Sequence, residues 1–207
     1  NNQKFYKPLN LDIKNTKKYT PIDQGEVDFD YLQKPDLING LTGKKKYIPV
    51  IKGGNGAFFR NVDWFALWDK KTINFYRTDK KARFQNSQYY FREGIGVPMV
   101  KSSKLKAFLL ERRLFDQSIV GIFPKDEKHL YYILAFLNSD VCNRILKVIN
   151  HTANNSANYL KKLPIIFDEQ HYDEINETVK KILVGRELSS GLKQIDKIFE
   201  KIYQLHK

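Results

Sequence analysis

Cysteine is almost missing from this chain, since Cys142 is the only one among 207 residues. One thiol cannot form an internal disulfide, and the four histidines do not stand at the spacings of zinc ligands. The sequence therefore predicts neither a disulfide framework nor a metal site. A cytoplasmic protein is the expectation that follows.

Long hydrophobic runs are missing as well. No apolar stretch approaches the roughly 18 to 20 residues that a membrane-spanning helix needs, and no charged leader followed by an apolar stretch opens the chain. We therefore expect no membrane partner. The first thirty residues are polar and weakly patterned, so we also expect the chain to begin within a longer protein.

Prolines and glycines do not stand where methyl transfer would need them. An adenine methyltransferase uses an Asn/Asp-Pro-Pro-aromatic turn to hold the flipped base and a glycine-rich loop to bind S-adenosylmethionine. None of the seven prolines adjoins another, and none follows Asn. The glycine-rich stretch Gly53 to Gly56 is better explained as a turn. We therefore expect no catalytic residue and no cofactor in this chain.

Acidic residues are in the minority. The 36 Lys and Arg residues outnumber the 23 Asp and Glu residues, which gives a net charge of +13. Residues 74–113 contain ten of the basic residues and three of the acidic ones, a local net charge of +7. More than half of the charge is thus concentrated in one segment, and such a surplus attracts polyanions.

Aromatic and amide side chains alternate with the cations of this segment. Cations bind phosphates, whereas planar rings and amides contact bases, so the combination indicates a surface for nucleic acid. A solvated basic face beside a β core would have a similar composition, and the sequence leaves that alternative open. The rings are Phe75, Tyr76, Phe84, Tyr89, Tyr90 and Phe91, and the amides are Gln85, Asn86 and Gln88.

Short β-favouring runs separated by turn residues predict a twisted or barrel-like, mostly antiparallel sheet. The runs cover residues 47–51, 64–68, 72–76, 89–91 and 119–123. Apolar residues then recur at helical spacing from Leu130 to Leu137 and from Val141 to Ile149, which predicts two helices packed on the sheet. Two amphipathic stripes, 172–183 and 192–205, predict a C-terminal helical hairpin. The predicted fold class is α+β.

These patterns divide the chain into three predicted parts. An N-terminal arm covers residues 1–46, a central domain covers 47–167, and a helical segment covers 168–207. The charges of the helical segment are nearly balanced. We therefore expect its helices to serve packing more than contact with nucleic acid.

A metal-dependent nuclease is one alternative function. Such an enzyme needs carboxylates that hold a divalent ion and a lysine near the attacking water. Pro35-Asp36 followed by Asp69-Lys70-Lys71 fits that pattern loosely, and Asp79-Lys80-Lys81 or Asp126-Glu127-Lys128 fits the second half as well. Because lysine is so common in this chain, such matches arise by chance.

Five motifs occur in one order: Tyr47 to Asn55, Ala82 to Ile95, Ser118 to Pro124, Tyr132 to Ser139, and Leu160 to Ile165. Their succession resembles the C-terminal target-recognition part of N6-adenine DNA methyltransferases from restriction-modification systems. That group includes the TaqI-like specificity domain, the fused methyltransferase-nuclease enzymes and the phage-exclusion (BREX) methyltransferases. The likeness covers roughly residues 47–166. The polar loop His151 to Asn158 departs from the pattern, because relatives carry a more apolar lead into the closing segment.

The resemblance implies that this chain selects the DNA sequence, with residues 47–167 as the target-recognition domain. Double-stranded DNA and an upstream methyltransferase domain of the same protein, which binds S-adenosylmethionine, are the implied partners. Amides and guanidinium groups can pair with base edges, and the other cations suit phosphates. Candidate base-reading residues are Arg83, Gln85, Asn86 and Gln88, with Lys52, Asn55, Arg60 and Arg77 as alternates; candidate phosphate contacts are Lys80, Lys81, Lys101, Lys104, Arg112 and Arg113.

An RNA-binding or scaffolding module is the alternative from another functional class. Aromatic rings on the face of a sheet would then stack single-stranded bases. A preference for duplex over single strand would distinguish the two readings. Metal-dependent cleavage would distinguish the nuclease.

Overall fold

The computed structural model describes residues 6–8, 20–54, 56–80, 84–185 and 187–204. The chain forms two compact units, each assembled from several segments. Unit 1 comprises the described residues of Asn1–Lys52, Asn61–Arg92 and Glu111–Asp116, and unit 2 comprises those of Gly53–Arg60, Glu93–Leu110 and Gln117–Lys207. The three parts that the sequence predicts, residues 1–46, 47–167 and 168–207, stay a prediction.

Eight strands are found among the described residues: β1 (Tyr6–Pro8), β2 (Thr20–Ile22), β3 (Tyr47–Ile51), β4 (Trp64–Leu67), β5 (Ile95–Pro98), β6 (Phe108–Leu109), β7 (Leu114–Phe115) and β8 (Ile119–Ile122). Unit 1 contains a five-stranded sheet in the order β2-β1-β4-β3-β7. Its β1–β4 and β3–β4 pairs are antiparallel, and its β1–β2 and β3–β7 pairs are parallel. Unit 2 contains an antiparallel sheet in the order β6-β5-β8. Neither sheet closes into a barrel within the described part of the chain.

Strand β3 lies in the interior of the unit 1 sheet. All five of its residues are buried, as expected for a strand with neighbours on both edges. Val50 pairs with Trp64 of β4 and with Leu114 of β7. Ile48 and Val50 belong to the same apolar cluster as Ile73, so β3 forms the centre of the unit 1 core.

Residues Lys70–Thr78 form helix α1, so the prediction of a strand at 72–76 is wrong. The Asp69 carboxylate caps the helix by accepting from the Thr72 backbone N–H at 2.7 Å. Ile73 and Tyr76 are then buried together on one side of the helix. The cap and this burial at a spacing of three outweigh the β propensity of the segment.

The predicted strand at 89–91 is wrong for a related reason. A short 3-10 turn, Ser87–Tyr89, occupies this position. The ring of Tyr90 and the ring of Phe91 pack against the core of unit 1 rather than forming a ladder with a neighbouring strand. Aromatic residues favour strands only where a pleated surface receives them.

Six helices are found in the described residues: α1 in unit 1, and α2 (Leu130–Asn138), α3 (Asp140–Ile149), α4 (Ala157–Leu160), α5 (Tyr172–Gly185) and α6 (Leu188–Ile202) in unit 2. Helix α2 is buried at nearly every position and contacts α3, α5 and α6, so it is the central helix of its unit. The helices and sheets confirm the α+β class and the C-terminal hairpin. No described helix has both the length and the apolar character to cross a membrane.

A buried polar cluster joins α2 and α3 to the segment before β6. The Asn138 side chain accepts from the Ala107 N–H at 3.0 Å and donates to the Ala107 carbonyl at 2.9 Å, as a neighbouring strand would. On α3, Asn143 Oδ1 accepts from the Leu105 N–H at 2.6 Å. Between them, Ser139 caps the first turn of α3. All three polar side chains are buried, so these hydrogen bonds form away from water.

Replacing Asn138 by Ala should destabilise unit 2 by about 1 to 3 kcal/mol, because the Ala107 N–H would stay buried without this partner, whereas the Ala107 carbonyl still accepts from the Phe58 N–H at 2.8 Å. The exposed Asn158 of α4 provides a matched control. Asn158→Ala should change the free energy of unfolding by less than about 0.5 kcal/mol. Urea unfolding followed by circular dichroism measures both variants. A loss below about 1 kcal/mol for Asn138→Ala would mean that water replaces the amide at no great cost.

The two C-terminal helices approach each other closely at Gly191. A Cβ atom on Gly191 would overlap the Ile182 side chain of α5. Gly191→Ala should therefore destabilise the hairpin by about 1 to 3 kcal/mol, although alanine is the better helix former by about 1 kcal/mol. Gly185→Ala is the control, since the nearest atom to its new Cβ would lie 3.6 Å away.

Cys142 supplies the measurement for this pair of variants. Its thiol is buried, and burial raises its pKa to about 12, so it reacts with thiol reagents only when unit 2 opens. Labelling under native conditions should be faster in Gly191→Ala than in Gly185→Ala. Equal rates would contradict the close approach of the helices.

Candidate nucleic-acid interface

The loop at residues 84–92 of unit 1 is built around one buried indole. Trp68 is 3% exposed, and its Nε1 donates to the Leu37 carbonyl at 2.8 Å, which fixes the ring. The ring of Phe84 lies 6.1 Å from it, that of Tyr90 6.1 Å and that of Phe91 5.5 Å. The 84–92 loop is therefore attached to the same side chain near both of its ends.

Three amide side chains lie between these attachments, and all three are exposed. Asn86 has a φ of 57°, a left-handed conformation that asparagine adopts more readily than most residues. The Tyr90 hydroxyl donates to the Gln85 carbonyl at 3.0 Å and so braces the backbone. The amides of Gln85, Asn86 and Gln88 thus extend into solvent from a supported loop, which is what the predicted base-reading role requires.

The Arg77 guanidinium lies beside the 84–92 loop. It donates to the Ile38 carbonyl at 3.1 Å and to Asn39 Oδ1 at 2.5 Å, and its Cζ stands 5.6 Å from the centre of the Phe84 ring. These contacts orient an exposed cation next to the amides, where it suits a guanine edge or a phosphate. Lys80 is exposed in the turn after α1.

Two further cations adjoin the same loop. The Cζ of Arg92 stands 5.7 Å from the Tyr89 ring, and Arg112 Nε donates to the Phe91 carbonyl at 3.1 Å. The backbone carbonyl of Arg112 accepts a long hydrogen bond of 3.4 Å from the Tyr31 hydroxyl. Burial raises the pKa of Tyr31 to about 12, so this hydroxyl remains a neutral donor at physiological pH.

Arg113, a predicted phosphate contact, is only 4% exposed. Its Nη2 pairs with Glu111 Oε2 at 2.6 Å, and its Nη1 donates to the Asn61 carbonyl at 3.1 Å. A buried guanidinium must leave such partners before it can reach a phosphate. The structure thus gives Arg113 a role within the packing of unit 1, and contact with phosphate stays an untested prediction for it.

The alternate base-reading cations Lys52 and Arg60 are half-buried. Lys52 Nζ stands 5.0 Å from the Trp64 ring in unit 1, and Arg60 Cζ stands 4.3 Å from the Phe108 ring in unit 2. Both residues are less exposed than the amides of the 84–92 loop, which leaves them less available to a base edge. Three further predicted contacts, Arg83, Asn55 and Lys81, lie outside the described residues and remain predictions.

The two remaining phosphate candidates belong to unit 2 and lie along α3. Lys101 Nζ donates to the Asn150 carbonyl at 2.7 Å, and Lys104 Nζ pairs with Asp140 Oδ1 at 2.5 Å. The hydrogen bond that Lys104 donates to the Asp140 carboxylate raises the pKa of Lys104. Most of the predicted contacts that the structure describes thus belong to unit 1, whereas Lys101, Lys104 and Arg60 belong to unit 2.

Sequence reasoning missed three exposed cations as candidates: Arg92 beside the 84–92 loop, and Arg144 and Lys147 on α3. The position of Arg92 directly after three aromatic residues was the sequence signal that could have identified it. For α3, the signal was that Arg144 and Lys147 are three residues apart in a helix whose other face is apolar.

The carboxylates of the nuclease alternative have local structural roles. Asp69 caps α1, and Asp36 Oδ1 accepts from Asn39 Nδ2 at 2.5 Å. Asp126 pairs with Lys128 Nζ at 2.9 Å, and this contact lowers the pKa of Asp126. Within the described ranges, no three His, Cys, Asp or Glu side chains gather closely enough to hold a metal ion.

No protein-family model matches the chain. Curated proteins similar to it include the adenine-specific methyltransferase BrxX of Escherichia coli O9:H4 (strain HS), at 29% identity over 168 residues. The adenine-specific methyltransferase PglX of Lacticaseibacillus casei (strain Zhang) is 24% identical over 171 residues. Each match covers 76% of this chain, which in turn spans only 14% of the length of either relative. These similarities support a methyltransferase-related domain. The chain corresponds to one segment of these much longer relatives.

Proposed function

We propose that this chain is the target-recognition domain of an N6-adenine DNA methyltransferase. The observation that carries the proposal is the 84–92 loop, whose three exposed amides lie between aromatic attachments and beside exposed cations. Amides pair with adenine edges in the major groove, and cations bind the neighbouring phosphates. The similarity to adenine-specific methyltransferases supports the second part of the proposal, that the recognised DNA is the substrate of an adenine methyltransferase.

Catalysis belongs to another part of the same protein in this proposal. The chain contains no Asn-Pro-Pro-aromatic motif, and its relatives are far longer than the matched segment. An upstream domain would bind S-adenosylmethionine and receive the flipped adenine, while this chain holds the duplex and selects the site. A restriction-modification or phage-exclusion system in the cytoplasm is the setting that such an enzyme implies.

The ring arrangement favours duplex DNA over a single strand. The rings of Trp68, Tyr90 and Phe91 pack edge to face with one another, and Phe84 packs edge to face with Tyr90. Rings that are engaged with neighbours in a core offer little free face for stacking a base. A single-stranded RNA or DNA that competed better than duplex for the chain would support the RNA-binding alternative instead.

Replacing Gln85 and Gln88 together by Ala should weaken binding of the cognate duplex by about 1 to 3 kcal/mol per lost base contact and spare random duplex. Methylome sequencing of cells that carry the full-length protein identifies the cognate site. Fluorescence anisotropy on the 207-residue chain then measures the affinities. Gln33→Ala removes an exposed amide elsewhere in unit 1 and serves as the control. Survival of both the methylation motif and the cognate affinity in the double variant would refute the proposal.

Replacing Arg112 by Ala should affect DNA binding, whereas replacing Arg113 by Ala should affect stability. Arg112→Ala removes an exposed cation, so affinity should fall on every duplex and the slope of log K against log salt should flatten by about 0.9. Arg113→Ala removes a buried and paired guanidinium, so unit 1 should lose about 2 kcal/mol of stability. Anisotropy at several salt concentrations and urea unfolding measure the two effects. The opposite assignment of effects would make Arg113 the phosphate contact.

A further inference from the structure

The exposed face of α3 in unit 2 carries cations along its length. Arg144 and Lys147 are exposed, and together with Asp140 they recur at spacings of three and four, so the three residues share one face of the helix. The opposite face, which includes Val141 and Leu146, is buried in unit 2. The cations therefore stand on a helix whose orientation is determined by its packing.

The segment Lys101–Lys104 lies beside the same helix. Lys104 Nζ reaches Asp140 Oδ1 at 2.5 Å, at the first residue of α3. Lys101 Nζ reaches the Asn150 carbonyl at 2.7 Å, directly after the last residue of α3. One lysine thus lies at each end of the helix, with Arg144 and Lys147 between them. We call these four cations the α3 stripe.

Backbone hydrogen bonds hold this segment in place. The N–H of Lys101 donates to the Ala153 carbonyl at 2.9 Å, and the N–H of Asn155 donates to the Met99 carbonyl at 2.7 Å. Asn155 Nδ2 also donates to the Pro98 carbonyl at 3.1 Å. The loop after α3 is thereby joined to the continuation of β5, so the α3 stripe does not depend on a freely moving segment.

The ion pair that engages the α3 stripe lies at the start of the helix. Asp140 is paired with Lys104, and the half-buried Asp196 accepts from the Asp140 N–H at 2.7 Å. Among the described residues no ion pair engages Arg144 or Lys147. The middle and the C-terminal end of α3 therefore carry positive charge that no ion pair in the described part of the chain neutralises.

We propose that the α3 stripe binds the sugar-phosphate backbone of the DNA duplex, as a second contact surface in the unit that lacks the 84–92 loop. The ten residues of α3 span about 15 Å, so the stripe is long enough to contact more than one phosphate of a DNA strand. The identity of the polyanion rests on the proposed function. The stripe itself reads no sequence, because ammonium groups and exposed guanidinium groups bind phosphates of any site.

The α3 stripe is tested by removing its middle cations from the full 207-residue chain. Arg144→Ala combined with Lys147→Ala should lower affinity for cognate and random duplex alike and flatten the slope of log K against log salt by about 1.8, or 0.9 for each contact. Lys180→Ala combined with Lys181→Ala removes the same charge from exposed positions of α5 and should flatten the slope far less. Protection of Cys142 from thiol reagents verifies that each variant is folded.

A variant that should bind duplex DNA more tightly provides an independent test. Asp140→Asn removes the carboxylate that pairs with Lys104, so the lysine becomes available to a phosphate. Binding to any duplex should tighten, and the salt slope should steepen by up to about 0.9. A lysine that served only to hold α3 in place would produce no such gain.

The outcomes separate this inference from the proposed function. If the α3 pair and the α5 pair have equal slopes while Gln85 and Gln88 still control the cognate site, the α3 stripe is not a contact and the proposed function stands. If the α3 pair flattens the slope but no variant alters sequence preference, the stripe is supported and target recognition fails. A chain that binds no duplex at all overturns both.

Discussion

The paired hydrogen bonds between Asn138 and Ala107 are the contact on which unit 2 depends. Helix α2 is buried almost all round, so its last turn lies where water cannot satisfy backbone groups. Asn138 supplies one donor and one acceptor to a single residue of the segment before β6. The next residue, Ser139, caps α3, so α3 starts directly after this contact. Asn143 of α3 then accepts from the Leu105 N–H, which joins the residue after Lys104 to that helix.

Unit 1 uses a buried ring where unit 2 uses a buried amide. Trp68 is held by its hydrogen bond to Leu37, and the aromatic residues at both ends of the 84–92 loop pack against it. In both units exposed polar side chains are thus held by contacts in the interior. Such preorganisation lowers the entropy lost on binding, and a surface of this kind can discriminate between ligands that differ by a few hydrogen bonds.

Local patterns predicted the helices of unit 2 well and the elements of unit 1 less well. The apolar spacing of 130–137 and 141–149, with Ser139 as a cap between them, is unambiguous at helical period. Helix α1 was missed because its β-branched and aromatic residues favour a strand, and only the Asp69 cap and the burial of Ile73 with Tyr76 decide for a helix. Exposure of the amides at 85–88 was predictable because no apolar period includes them.

The sequence by itself determined that this chain is basic, belongs to the α+β class and forms no internal disulfide, since net charge, thiol count and apolar period are properties of the residues and their order. Tertiary structure alone decided which cations face solvent. Arg112 and Arg113 are neighbours with the same chemistry, yet one is exposed and the other is paired inside unit 1. Lys104 meets Asp140 across 36 positions of sequence. Burial and ion pairing arise between residues far apart in the chain, and no local pattern encodes which of them the folded backbone brings together.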